Sequence, residues 1–127
     1  MKKLFLMAAL IAGNITFPPV HAKVCDLCPS DNFDKLITEN AKVVVDFYAP
    51  WCGHCVTMKP LFESLGKGMN NVLFITVNVD TFSSLASKYG VRSIPQLTFF
   101  KDGKVIATEH GGKSKTELTK LVKSKLS

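Results

Sequence analysis

The sequence predicts a single α/β domain of three layers, α/β/α, around a central mixed sheet. Three observations carry that expectation. Strand-like runs alternate with segments of helical periodicity, the order that builds a sheet with helices packed on its faces. One run, Val43 to Tyr48 (VVVDFY), is β-branched and apolar nearly throughout, as a strand covered on both faces must be. A hairpin and a last helix close the chain, so antiparallel pairing joins the sheet. At 127 residues the chain suffices for one ordinary domain and not for two.

The elements follow in order. Residues 1–22 read as a secretory signal peptide and 23–127 as the domain. Met1-Lys2-Lys3 is a short basic start, and Leu4 to Gly13 is an uncharged, mostly apolar run too short to span a bilayer comfortably. Val20-His21-Ala22 offers small residues at the −3 and −1 positions of a cleavage site. The alternative is an uncleaved N-terminal anchor. After the Val43–Tyr48 strand, Met58, Leu61, Phe62 and Leu65 recur at helical spacing, with Gly66 and Gly68 closing the segment. Pro60 lies inside that helix and is expected to kink it. Val72 to Val79 is a second strand, and Phe82 to Tyr89 a short helix ended by Gly90. Leu97 to Phe100 and Val105 to Ala107 flank Asp102-Gly103, a pair suited to the positive φ angles of a tight turn. Ser114 and Glu117 form a capping box, and Leu118, Leu121, Val122 and Leu126 continue it as a core-facing stripe. No repeat, low-complexity tract or second domain is evident.

Charge narrows the function classes. Cleavage after Ala22 removes two Lys and no acid, so the net charge falls from +6 to +4 over the remaining 105 residues. Lys113, Lys115, Lys120, Lys123 and Lys125 alternate with apolar positions as the solvated face of a helix does. No basic–aromatic interleaving points to nucleic acid. A monomer is expected.

All four cysteines follow the cleavage site, as Cys25/Cys28 and Cys52/Cys55. Export implies a compartment in which disulfides persist. Clustering in C-x-x-C pairs suits redox chemistry or metal binding better than a scaffold of long-range staples. In Cys52-Gly53-His54-Cys55 the first cysteine follows a buried strand and stands at the start of a helix. Unpaired N–H groups and the positive end of the dipole there favour a thiolate at Cys52. Cys55 lies about one turn on, on the same side, so the two sulfurs can close and reopen a small ring. The implied chemistry is thiol–disulfide exchange: Cys52 attacks a disulfide of another protein, and Cys55 then displaces the reduced substrate. No cofactor is required.

"VVVDFYAPWCGHC" together with "GVRSIPQLTFFKDGKV" resembles the thioredoxin family over essentially the whole chain from about residue 30, and Tyr48 to Cys55 is most similar to the catalytic domains of protein disulfide isomerases. The resemblance implies a thioredoxin fold and further roles. Asp46 corresponds to the buried carboxylate that helps deprotonate the second cysteine. An acid within an apolar strand should have a raised pKa and be a plausible proton acceptor for Cys55, unless it is a strand-end acid reaching solvent. Disulfide isomerases usually carry Glu there, so Asp46 makes the chain a hybrid of two patterns. Pro95, after Ile94, corresponds to the family's cis-proline facing the cysteines, although most such bonds are trans. Trp51 should shield the pair and shape the docking surface; the other reading is a core aromatic. Gly111-Gly112 matches a place where small residues let substrate approach, and a plain loop would explain it equally well. The Lys that thioredoxins often pair with the buried acid is replaced by Thr76, which leaves proton transfer to water or to another group. His54, if not an inert turn residue, should stabilise the Cys52 thiolate and make the disulfide more oxidising.

Cys25-Asp-Leu-Cys28 lies outside the family pattern. In an extended strand residues i and i+3 stand roughly 10 Å apart, too far for a disulfide. A turn with a local disulfide, a redox relay or intermolecular link, and metal binding all stay open. Two other classes do too: a metal-binding module of the four cysteines with His54, and a non-catalytic peptide-binding relative. The expected partners are proteins with thiols or disulfides and a redox protein that recycles the pair. Contact with a membrane is expected only through the signal peptide or a membrane-bound redox partner. The Lys-Lys start and the lack of an ER-retention tail favour a bacterial periplasm over the ER lumen.

Overall fold

The computed structural model describes residues 23–127; the signal-peptide expectation lies outside the described residues. In chain order the elements are β1 (Lys23–Asp26), α1 (Phe33–Glu39), β2 (Lys42–Tyr48), α2 (Gly53–Lys67), β3 (Leu73–Asn78), α3 (Ser83–Lys88), β4 (Gln96–Lys101), β5 (Lys104–His110) and α4 (Lys115–Lys125). The sheet order is β1-β3-β2-β4-β5. β3 pairs in parallel with β1 and β2, while β4 runs antiparallel to β2 and β5 antiparallel to β4. The apolar β2 therefore lies at the centre, as its composition requires.

Alternation along the strands separates two cores. Val44, Phe74, Leu97 and Phe99 face α2 and α4, meeting Met58, Phe62, Leu65, Leu118 and Val122. Val43, Val45, Phe47, Ile75 and Val77 face the other way, onto Phe33 and Ile37 of α1 and the α3 segment. The Tyr89 ring, just past α3, packs against Phe33, Phe47 and Phe100. Full burial of each large side chain such as Phe47, Phe62 or Phe99 contributes roughly 1.5–3 kcal/mol. Among the described residues no helix is long and apolar enough to cross a membrane.

Local signals set the ends of the elements. Asp102 (φ 51°) and Gly103 (φ 81°) turn the β4–β5 hairpin in two residues, with Lys101 opposite Lys104. Ser114 Oγ accepts from the Glu117 N–H at 3.1 Å, and Glu117 Oε1 accepts from the Ser114 N–H at 2.8 Å, completing the capping box.

Gly66 differs from expectation. It does not help close α2, which runs through it to Lys67 and is capped by Gly68. Gly66 is buried instead, and a Cβ there would come within 2.6 Å of Val24 Cγ2 and 2.8 Å of Phe74 Cγ. The missing side chain lets α2 lie close against β1 and β3. β3 and α3 are also each trimmed by one residue at both ends relative to the sequence expectation.

Candidate active site

The end of β2 delivers Ala49-Pro50-Trp51 onto the N-terminus of α2, and Cys52 is the N-cap residue of that helix. Its backbone is extended (φ −93°, ψ 115°), and its Sγ accepts from the Cys55 N–H at 3.3 Å. The sulfur thus occupies the place of a capping oxygen, against N–H groups that lack helical partners. Cys52 is half-buried, whereas Cys55 is fully buried. Burial, then the hydrogen bond with Cys52, push the Cys55 thiol up to about 12. One sulfur is reachable and the other is sealed with its proton. A Cβ at Gly53 would meet nothing within 4 Å, so the fold itself does not demand glycine between them.

Opposite the pair, the Ile94–Pro95 peptide bond is cis. Cys52 Sγ lies 3.8 Å from the Ile94 carbonyl oxygen. The Pro95 carbonyl accepts from the Gly111 N–H at 2.9 Å, and Gly111 holds φ +88°, which favours glycine. Gly112 faces His54: a Cβ there would stand 3.5 Å from His54 Cβ and Nδ1. His54 itself is exposed. Trp51 is 72% exposed and so is no core aromatic. Its indole N–H donates to Asp80 Oδ2 at 2.9 Å, which fixes the ring at the rim. The sequence alone does not single out Asp80, because no local pattern links positions 29 apart.

Beneath the pair lies Asp46, with 0% of its surface exposed and neither carboxylate oxygen hydrogen-bonded. It is not a strand-end acid reaching solvent. Burial raises it to about 7; Lys59 opposes the rise and Glu63 adds to it. Asp46 and Asp26 are both register neighbours of Thr76, so the three form a row across β2, β3 and β1. The Thr76 hydroxyl donates to Asp26 Oδ1 at 2.6 Å and leaves Asp46 unpartnered. The cation nearest in influence comes from α2 instead. Lys59 Nζ lies 3.0 Å from Glu63 Oε2 and 5.1 Å from the centroid of the Tyr48 ring. Sequence reading missed Lys59 and Glu63, although they follow Cys55 at four and eight residues, on one helix face.

Cys25 lies on β1 and faces the α1/α3 core, and burial, then Asp31, raise its thiol pKa. β1 ends at Asp26, and Cys28 stands beyond it, exposed, in a turn where its N–H donates to Asp31 Oδ2 at 2.8 Å. Backbone pairing to β3 carries on through Leu27, whose N–H donates to the Thr76 carbonyl at 2.9 Å, so the chain turns only from Cys28 onward. Among the described residues no three His, Cys, Asp or Glu side chains gather as a metal site, so the four cysteines and His54 do not form one ligand set.

Comparison with known proteins agrees with this geometry. The thioredoxin family model matches residues 24–124. A thioredoxin of Mycoplasmoides gallisepticum is 43% identical over 90 residues, which is 71% of this chain and 90% of that protein. Protein disulfide isomerase-like 2-2 of rice is 35% identical over 88% of this chain, which spans only 31% of that longer protein. Among solved structures, a Halobacterium salinarum thioredoxin variant superposes with a TM-score of 0.73 at 30% identity, covering 88% of this chain and 96% of that one. A reduced Schistosoma mansoni thioredoxin gives 0.74 at 29% identity, covering 83% and 100%.

Proposed function

The chain belongs to the thioredoxin family of thiol–disulfide oxidoreductases, and from that premise we propose that it is an exported protein disulfide oxidoreductase working through Cys52 and Cys55. The observation that carries the reading is the asymmetry of the pair: a reachable sulfur at a helix N-terminus, beside a cis-proline, with a sealed thiol one turn behind it. Cys52 attacks a substrate disulfide, forming a mixed disulfide and expelling one substrate thiolate. Cys55 loses its proton to Asp46 and attacks Cys52. The Cys52–substrate bond breaks, the second substrate thiolate leaves, and two electrons have passed to the substrate. The reverse sequence oxidises a dithiol.

The exposed Trp51, the Ile94 carbonyl and the Gly111 turn border the approach to Cys52 and serve as the docking rim. His54, packed at Gly112, tunes the pair toward the oxidising side. Residues 1–22 direct export, most simply to a periplasm. For Cys25, on the α1/α3 core, and the exposed Cys28 the reading is a local disulfide that closes when the short segment between them rearranges; mass spectrometry before and after alkylation reads it.

Insulin reduction by the wild type and not by Cys52→Ser tests the activity, and a wild type without turnover sinks it. Equilibration with glutathione assigns the direction. A potential near about −180 mV fits oxidation or isomerisation, and one near about −270 mV fits reduction. A mature N-terminus at Lys23 in the periplasmic fraction tests export.

A further inference from the structure

We propose that Lys59, held between Glu63 and the ring of Tyr48 on the Asp46 face of β2, is a positioning residue for proton transfer: its ammonium governs when Asp46 can take the proton of Cys55. The inference rests on the oxidoreductase reading and adds to it the half-exposed charges that act on the sealed acid.

Asp46 lacks any partner of its own. Both its oxygens are buried without a hydrogen bond, an arrangement that favours the protonated form. Its neighbours are countable. On β3, Thr76 commits its hydroxyl to Asp26. On β4, the register neighbour is the apolar Leu97. On β1, Asp26 is a like charge. On β2, Tyr48 lies two residues on, on the same face, and burial raises its pKa further, so it is neutral at ordinary pH. The facing helix α2 brings Cys55, Lys59 and Glu63, and α4 behind it brings Leu118 and Val122. Among the described residues, Lys59 is therefore the one cation in the groups facing Asp46.

Its placement suits control from the surface. Lys59 and Glu63 line an open cleft of about 420 Å³ with Tyr48, Pro50, Val56 and Pro60. The side chains of the ion pair are 25% and 33% exposed, so both reach water while Asp46 does not. The ammonium over the Tyr48 ring is held from two sides, by the ring face and by Glu63. The two groups act on Asp46 with opposite sign, Lys59 favouring its ionised form and Glu63 opposing it. The step they control is balanced. The Cys55 S–H bond breaks and its proton passes to Asp46. The Cys55 sulfur pair forms the bond to Cys52, the Cys52–substrate bond breaks, and the substrate leaves as thiolate. Asp46 gives the proton up to water before the next cycle.

The opposite signs give the test. Lys59→Met and Glu63→Gln break the same ion pair, so a purely structural effect moves both variants the same way. Reduced protein is mixed with 5,5′-dithiobis(2-nitrobenzoate), and release of the second nitrothiobenzoate by Cys55 is followed by stopped flow against pH. The midpoint should rise by about half a pH unit or more in Lys59→Met, fall by a similar amount in Glu63→Gln, and stay near wild type in Lys59→Arg. Carboxyl ¹³C titration of Asp46 in the reduced variants should shift in the same two directions without any turnover. Shifts of like sign, or none, overturn the inference. A wild type that never releases the second thiol overturns the oxidoreductase reading instead, and the ¹³C titration still decides this one.

Discussion

Replacing Asp46 by Asn should stabilise the reduced protein, by an amount that depends on pH. The folded protein carries this acid from its ordinary 3.8 to about 7, chiefly through burial. An acid with a raised folded pKa binds more protons folded than unfolded between those two values. Stability therefore falls as pH rises through that window and levels off above about pH 7. Roughly three pK units at about 1.4 kcal/mol each give a loss of about 4 kcal/mol. The amide that Asp46→Asn introduces would be as poorly hydrogen-bonded as the protonated carboxyl, a cost that is the same at every pH. The difference between variant and wild type thus isolates the charge. Urea unfolding in reductant at about pH 4 and about pH 8 measures it. The variant's advantage should grow by about 4 kcal/mol between the two, with an unchanged m-value. A change below about 1 kcal/mol, or a growing advantage toward acid, would show that the carboxyl is solvated or paired.

Three other outcomes are expected. His54→Pro should lower the reduction potential by some part of the roughly 90 mV that separates thioredoxin from protein disulfide isomerase; glutathione titration reads it, and an unchanged or higher value removes His54 from the tuning. Gly66→Ala should destabilise by about 1–3 kcal/mol in urea melts, because its methyl would press on Val24 and Phe74; a neutral effect would mean that α2 moves away from the sheet without cost. Asp80→Ala should free the Trp51 indole and change its fluorescence without altering urea stability by more than about 0.5 kcal/mol, since the pair is exposed.

The parts of the molecule that can be read from sequence are those that local rules encode. The apolar β2, the Asp102-Gly103 turn and the Ser114/Glu117 capping box each follow from a pattern a few residues long. Cys52 and Cys55 are legible for the same reason, since strand end, helix start and spacing are neighbours in the chain. What sequence reading misses depends on distance in the chain. Gly66 looks like a helix terminator until β1 and β3 are laid beneath it. Asp80 belongs to the site only because β3 ends beside β2. Thr76 marks an absent cation, but nothing local says that its hydroxyl turns to Asp26 or that α2 carries a Lys at the matching height.

Stability and proton transfer meet at the same carboxyl. An unpartnered acid that lowers stability by about 4 kcal/mol removes a large share of the roughly 5–15 kcal/mol typical of a domain. A Lys on β3 in direct contact would relieve that loss by holding Asp46 ionised, and would also remove its ability to take up a proton near neutral pH. A cation set farther off, on α2 and shared with Glu63, does something different. It offsets part of the burial effect and leaves the carboxyl near about 7, where it gains and loses a proton with little driving force either way. The sealed Cys55 needs such a group, because its own burial cuts it off from bases in solvent. On this view Thr76 and Lys59 are one adjustment made at two positions. Thr76→Lys in the Lys59→Met background should then restore stability at about pH 8 while moving the midpoint of Cys55 resolution below that of the wild type. A double variant that regains stability with the wild-type midpoint would separate the two effects and end the case for one charge balance setting both.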